Sequence, residues 1–381
     1  MRTRIFTGAL ACAGFLALAP MMGEAPAEAR ELIYSSGIPA KHPLHDVTLA
    51  YYFKAVEEAS DGALTFQLFP GGTLASSKVS LSAIKTGTVD MVLMADIYHP
   101  TEMPTSVLIS DLAALGKDAR VMTGAVNQTL VLDCEPCKED FLNDNILPFA
   151  SYALTPYHFM CVSQPIATAE DVRGKKIRAT GSMGQLAAGL GGTAVNITSA
   201  EVYEALQRGQ ADCALGPIPW LKSYSLWDLV KYVTADGVGT YHGTTFINIR
   251  KQVWAKFSEK EKQAFVQPIP KAVRIMAEVY ETDDIEIKKA AIEKGVQWVD
   301  PEPSLIQAVE EFRKGDIERV ISIAKSRGVK DPEPIVDIFV AAVEKWTQIV
   351  ADIGEGEWDE SQWDQYEAAI KAEIYDKMET P

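Results

Sequence analysis

Six consecutive residues, Val89-Asp90-Met91-Val92-Leu93-Met94, carry one polar side chain among them. A half-exposed strand alternates apolar and polar residues. A run apolar at nearly every position is buried on both faces, as in a parallel strand covered by helices above and below. The neighbouring chain fits that setting. Leu32–Ser35 and Leu64–Phe69 read as strands, with a helix expected over Val47–Ala59 and Gly62 just beyond its end. Pro70-Gly71-Gly72 turns the chain, and Ser76 or Ser77 is placed to cap a helix ending near Gly87. Asp118–Leu132 fits a further helix. The theme then repeats, with strands at Lys176–Ala179, Ala194–Ile197 and Ala211–Leu215 and helices over Met183–Leu190 and Ala200–Arg208, the last capped by Ser199. Strand and helix alternating at this spacing predict an α/β fold of parallel sheets with helices on both faces. The final third differs: Ser258–Lys294, Pro303–Arg327, Glu333–Ile353 and Ser361–Lys377 read as long amphipathic helices around a short strand, Val296–Val299. Such helices are packing elements before they are binding sites.

Composition narrows the function classes. Over 381 residues, 47% are hydrophobic and 23% charged, which excludes a disordered chain and a multi-span membrane protein. The length predicts two or three domain-sized units. With 36 Lys and Arg against 52 Asp and Glu, the net charge is −16, so no nucleic-acid partner is expected and anionic lipid is disfavoured. A small anion is still a fitting ligand, because one pocket's local field decides that. At the N-terminus, Arg2 and Arg4 precede an apolar run, Ile5–Pro20, and then Ala27-Glu28-Ala29. That order reads as a secretory signal peptide over 1–29, leaving a mature protein exported to the periplasm. In an oxidising compartment the close pair Cys134 and Cys137 is expected as a structural disulfide, and whether Cys161 and Cys213 also pair stays open.

Several ordered motifs add to this. Asp171-Val172-Arg173-Gly174-Lys175-Lys176-Ile177-Arg178 resembles the D-x-x-G-K-K-I-R segment of the extracytoplasmic solute receptors of TRAP transporters, the DctP family. Glu201-Val202-Tyr203-Glu204-Ala205-Leu206-Gln207-Arg208-Gly209-Gln210-Ala211-Asp212 is similar to its E-V-Y-x-A-L-Q-x-G-x-x-D segment. Gly72-Thr73-Leu74, Thr86-Gly87-Thr88-Val89-Asp90-Met91, and His242 followed by Trp254 and Ser258-Glu259-Lys260-Glu261-Lys262-Gln263 match further pieces in the right order. The resemblance covers most of residues 31–330. It implies a periplasmic-binding-protein-like fold of two α/β lobes with a ligand cleft between them. Lobe I would be 30–153, completed by part of 240–300, and lobe II 154–239, completed by part of 255–330. Helices of 331–381 would pack on both.

The implied function is the periplasmic receptor of a TRAP transporter, a binder with no catalytic role and no cofactor. It would deliver a small organic acid or zwitterion to the small and large membrane permease subunits. Arg178 lies at the end of a strand, before a turn, Thr180-Gly181-Ser182, that opens a helix. A guanidinium there suits a carboxylate through paired charge-assisted hydrogen bonds, helped by the helix dipole, and the resemblance implies the same role. Trp220, Tyr224 and Trp227, spaced as one helical face, are candidates to wall the pocket, with Trp227 expected instead to pack on the core. Tyr98 and His42 occupy strand-to-helix positions that face such a cleft, and His158 is a candidate ligand contact. Tyr157 and His158 stand where sialic-acid receptors carry a second arginine, which argues against that ligand. Gly216 takes the place of the family's ligand-contacting asparagine and supplies no side-chain hydrogen bond. The rival readings are an ABC-type periplasmic binding protein and an exported thiol-disulfide protein using Cys134 and Cys137.

Overall fold

Two six-stranded sheets organise the chain, seen in a computed structural model that describes residues 29–381. The expected signal peptide lies outside these residues except for its last position. In chain order the strands are β1 (Arg30–Ser35), β2 (Leu64–Phe69), β3 (Met91–Val92), β4 (Met94–Ala95), β5 (Ile146–Tyr152) and β6 (His158–Cys161). The rest are β7 (Lys176–Arg178), β8 (Thr193–Val195), β9 (Cys213–Gly216), β10 (Tyr232–Thr234), β11 (Thr244–Arg250) and β12 (Gln297–Val299). The first sheet runs β2-β1-β3-β11-β4 with β5 on β11, and the second runs β12-β10-β6-β9-β7-β8.

Both sheets are mixed, which corrects the all-parallel expectation. β1 is parallel to β2 and β3, and β7 to β8 and β9, but β11 is antiparallel to β3, β4 and β5. In the second sheet β6 is antiparallel to β9 and β10. The cause is connectivity. Residues 153–157 carry the chain from β5 to β6 and residues 235–243 return it from β10 to β11, so each arriving strand enters its sheet from the other sheet's side. The two crossing segments bond to each other: Leu154 N–H donates to Tyr241 O at 2.9 Å and Tyr157 N–H to Gly239 O at 2.8 Å.

The apolar run Val89–Met94 is buried as expected, but it is not one strand. It breaks at Leu93, whose N–H turns to Ser35 O at 2.9 Å. Its single polar residue, Asp90, accepts the Ile33 N–H at 3.1 Å and lies 3.6 Å from Arg250, so the carboxylate is paired. The helix expected from Ser76 or Ser77 begins instead at Ser80, with Val79 before it and no side-chain cap. Ser77 lies against the backbone of Gly37, where a β-carbon would come within 2.4 Å of its hydroxyl, and so is turned away from the helix end. Asp118 does cap the helix Ala119–Gln128, accepting from Arg120 and Val121 N–H.

Two disulfides are present, Cys134–Cys137 and Cys161–Cys213; the second joins neighbouring strands β6 and β9 at a register pair. Among the described residues no helix is long and apolar enough to cross a membrane.

Candidate functional site

Arg178 is the last residue of β7, and its side chain is 1% exposed. It lines a cavity of about 530 Å³ of atom-free space, open side included, at the switch between the two sheets. Nε and Nη2 donate to Ile197 O at 3.1 and 2.9 Å, which fixes the plane of the guanidinium. Nη2 also reaches the Tyr98 hydroxyl at 3.2 Å. Among the described residues Nη1 makes no hydrogen bond, and no carboxylate forms a salt bridge with this arginine. Glu201 feels its charge but is tied to Thr198 at 2.6 Å. The Trp220 ring lies beneath the guanidinium, 5.4 Å from its centre.

Tyr98 follows β4 of the first sheet and bridges to the second. Its oxygen accepts from Arg178 Nη2 and from Ser199 N–H at 3.0 Å. Both partners are pure donors, so the phenol proton is left to point elsewhere, into the cavity. His42 reaches the opposite wall. Its Nδ1 accepts the Leu44 N–H at 3.2 Å, and its Nε2 lies 2.9 Å from the Tyr280 hydroxyl. Burial first, then the neighbouring His45, lowers the His42 pKa to about 3, so the ring is neutral and Nε2–H donates to Tyr280. Both ring nitrogens are thereby spent, and the Tyr280 proton is freed.

Trp220 explains Gly216. A β-carbon at Gly216 would come within 2.5 Å of the Trp220 ring, so the indole occupies the space a side chain there would take. The Trp220 N–H faces the Tyr280 hydroxyl loosely and completes no hydrogen bond with the described residues. The cavity has lost one side-chain donor position and gained a buried, unpartnered N–H.

Of the sequence candidates, Arg178, Tyr157, Trp220, Tyr224, Tyr98 and His42 line this cavity together. His158 does not. On the extended backbone of β6 it points away from its neighbour Tyr157, and its Nδ1 is bonded to Thr234 O at 2.9 Å. Gly216 lies behind Trp220, outside the lining. Trp227 is off the expected face, because the helix Trp220–Ser223 ends before Ser225, whose φ is +57°, and Lys294 covers the Trp227 ring at 4.8 Å. The helix beginning at Gly181 does not aim all its N–H groups at a ligand, since Asp111 takes the Ser182 N–H at 3.1 Å. Sequence reasoning missed Tyr152, Tyr241 and Tyr280, which also line the cavity. Tyr280 sits mid-helix in Ile269–Glu293 and looks like any core position, and only Tyr241, between Gly239 and Gly243 in a crossing segment, carried a local signal.

Burial also sets the protein's response to pH. Desolvation raises Asp96 and Glu281 to about 7, and Asp140, Asp284 and Asp316 to about 6. A carboxyl raised on folding stabilises fully in acid and loses that contribution as pH climbs through the folded value. All five histidines are lowered by burial, and they act oppositely: their contribution is present above about 6.5 and fades as pH falls. Between about pH 4 and about pH 6.5 the two sets therefore oppose each other, the carboxyls losing stability and the histidines gaining it as pH rises.

The profile of the bacterial extracellular solute-binding protein family 7, DctP, matches residues 34–322. A solute-binding protein of Albidiferax ferrireducens is 22% identical over 253 residues, covering 64% of this chain and 72% of that protein. A TRAP periplasmic solute-binding protein from Bordetella bronchiseptica, solved with (R)- and (S)-mandelate, superposes with a TM-score of 0.73 at 23% identity, covering 83% of this chain and 99% of that one. A marine metagenome TRAP solute-binding protein specific for aromatic acids, in complex with metahydroxyphenylacetate, gives a TM-score of 0.75 at 19% identity, covering 84% and 99%. These structural likenesses speak to the two-lobed fold, and the profile, spanning most of the chain, speaks to descent. The chain belongs to the bacterial extracellular solute-binding protein family 7, the DctP family.

Proposed function

We propose that the protein is a periplasmic receptor that captures a small carboxylate-bearing organic acid in the cavity around Arg178 and presents it to the small and large subunits of a TRAP permease. The observation that carries this reading is the guanidinium itself: a buried cation with an unsatisfied edge and no acidic partner among the described residues. An unpaired buried charge is costly, and an anion with two oxygens removes that cost through a forked pair of hydrogen bonds. The Tyr98 proton and the Trp220 N–H stand beside it as neutral donors, and the aromatic walls suit a flat or apolar body. Mandelate in the Bordetella relative and metahydroxyphenylacetate in the metagenome relative are acids of this kind.

The lobes, 30–153 and 154–239 with their later additions, would swing about the crossing segments 153–157 and 235–243, with the acid favouring the closed arrangement. Helices of 331–381 would ride on them. A redox role for Cys134 and Cys137 finds no support in their burial, 0% and 2% exposed, which suits a structural staple. An ABC-type receptor is disfavoured by the family assignment.

A thermal-shift screen tests the reading. Mandelate, 3-hydroxybenzoate and benzoate, each with its methyl ester as control, are expected to include at least one acid that raises the melting point by about 2 °C or more while its ester does not. Esters matching their acids, or no acid producing a shift, overturn it.

A further inference from the structure

Hydrogen bonds have direction, and most of the cavity's fixed groups are donors: Arg178 Nη1, the Trp220 N–H, and the freed protons of Tyr98 and Tyr280. Two tyrosines present lone pairs instead: Tyr224, whose hydroxyl donates to the rotatable Ser199 Oγ at 3.3 Å, and Tyr241, whose proton goes to a fixed carboxylate. The Tyr241 hydroxyl lies 3.1 Å from Oδ1 of Asp96, a residue 2% exposed. The same carboxylate receives Ser110 Oγ at 2.9 Å on Oδ1 and Ser106 Oγ at 2.9 Å on Oδ2. Among the described residues no cation pairs with it, so three hydroxyl donors are what solvate it. Gly243 makes the arrangement possible, since a β-carbon there would come within 2.4 Å of Asp96 Oδ1. Above about pH 7 Asp96 is ionised and can only accept, so it holds the Tyr241 proton and the Tyr241 oxygen shows the cavity lone pairs only. The hydroxyls of Ser77, Thr180 and Thr244, also in the lining, can rotate to donate or accept and therefore discriminate little.

We propose that Tyr241, locked by Asp96 as an acceptor, selects ligands that carry a hydroxyl in addition to the carboxylate, so that the preferred solutes are hydroxy acids. The inference rests on the carboxylate reading above and extends it to a second functional group. An acid lacking the hydroxyl leaves the Tyr241 oxygen buried and unpaired against its apolar body, which is where the discrimination arises.

The test is calorimetry with matched pairs: mandelate against phenylacetate, 3-hydroxybenzoate against benzoate, and lactate against propionate. In at least one pair the hydroxy acid is expected to bind the wild-type protein about tenfold more tightly than its partner, and in Tyr241→Phe that ratio is expected to fall to about one. Equal affinities within every binding pair, or a ratio unchanged in Tyr241→Phe, overturn the inference while leaving the carboxylate reading intact. Should the variant not fold, the wild-type ratios decide alone. Binding of none of the six acids overturns the carboxylate reading and this inference with it.

Discussion

Replacing Arg178 with alanine is expected to weaken binding of an acid such as mandelate by at least about a hundredfold, roughly 3 kcal/mol, in calorimetric titration. The size follows from burial. In water an arginine–carboxylate pair contributes little, because both charges are well solvated apart. Here the guanidinium is already desolvated, so its Nη1 edge gains nearly the full interaction when the acid arrives. Arg178→Lys keeps the charge but loses the fork, and an intermediate loss of about tenfold is expected. Arg178→Ala also abandons Ile197 O, so circular dichroism of each variant separates lost binding from lost folding. Folded variants that bind mandelate as tightly as the wild type would remove Arg178 from the site.

Trp346→Ala is expected to destabilise the protein by about 3–5 kcal/mol in urea unfolding, with little change in the dependence on denaturant. The ring is 0% exposed and lies over Gly124, where a β-carbon would come within 2.1 Å of it. Its Nε1–H donates to Gln128 at 3.0 Å, in the same helix as Gly124. This contact joins the helix Pro332–Ile353, beyond the family match at 34–322, to the helix Ala119–Gln128 inside it. Tyr366 adds a second tie through its hydroxyl to Arg120 O at 2.6 Å. The C-terminal helices are thus part of the packed core, and a loss below about 1 kcal/mol would show the Trp346 contact to be dispensable.

The architecture was largely legible, and for identifiable reasons. β2 was bounded correctly because Leu64–Phe69 is flanked by Gly62 and Pro70, and the helix Ala119–Gln128 was placed within one residue at its start because an apolar period begins after Asp118. Strand direction was not legible. The burial that marks Val89–Met94 is the same for a parallel strand and for one flanked by an antiparallel arrival such as β11. Trp220 and Tyr224 both reach the cavity, whereas Trp227 leaves their face because Ser225, ordinary in sequence, adopts a left-handed conformation and ends the helix.

Arg178 and Tyr98 were expected at strand ends facing a cleft, and both line the cavity. The commitments of individual protons were not legible. That Tyr98 has a free proton depends on Ser199 and Arg178 both donating to it, and that Tyr241 lacks one depends on Asp96, 145 residues away in sequence. No local pattern encodes such pairings. His158 was misplaced for a simpler reason: adjacent residues on an extended chain face opposite ways, so Tyr157 and His158 could not both reach the cavity from that strand.

The most direct measurement is a crystal structure grown with mandelate. The account predicts the acid inside the cavity, both carboxylate oxygens within about 3 Å of the Arg178 guanidinium and its ring against the aromatic wall. Mandelate bound elsewhere on the protein, or bound there with its carboxylate turned away from Arg178, would contradict it.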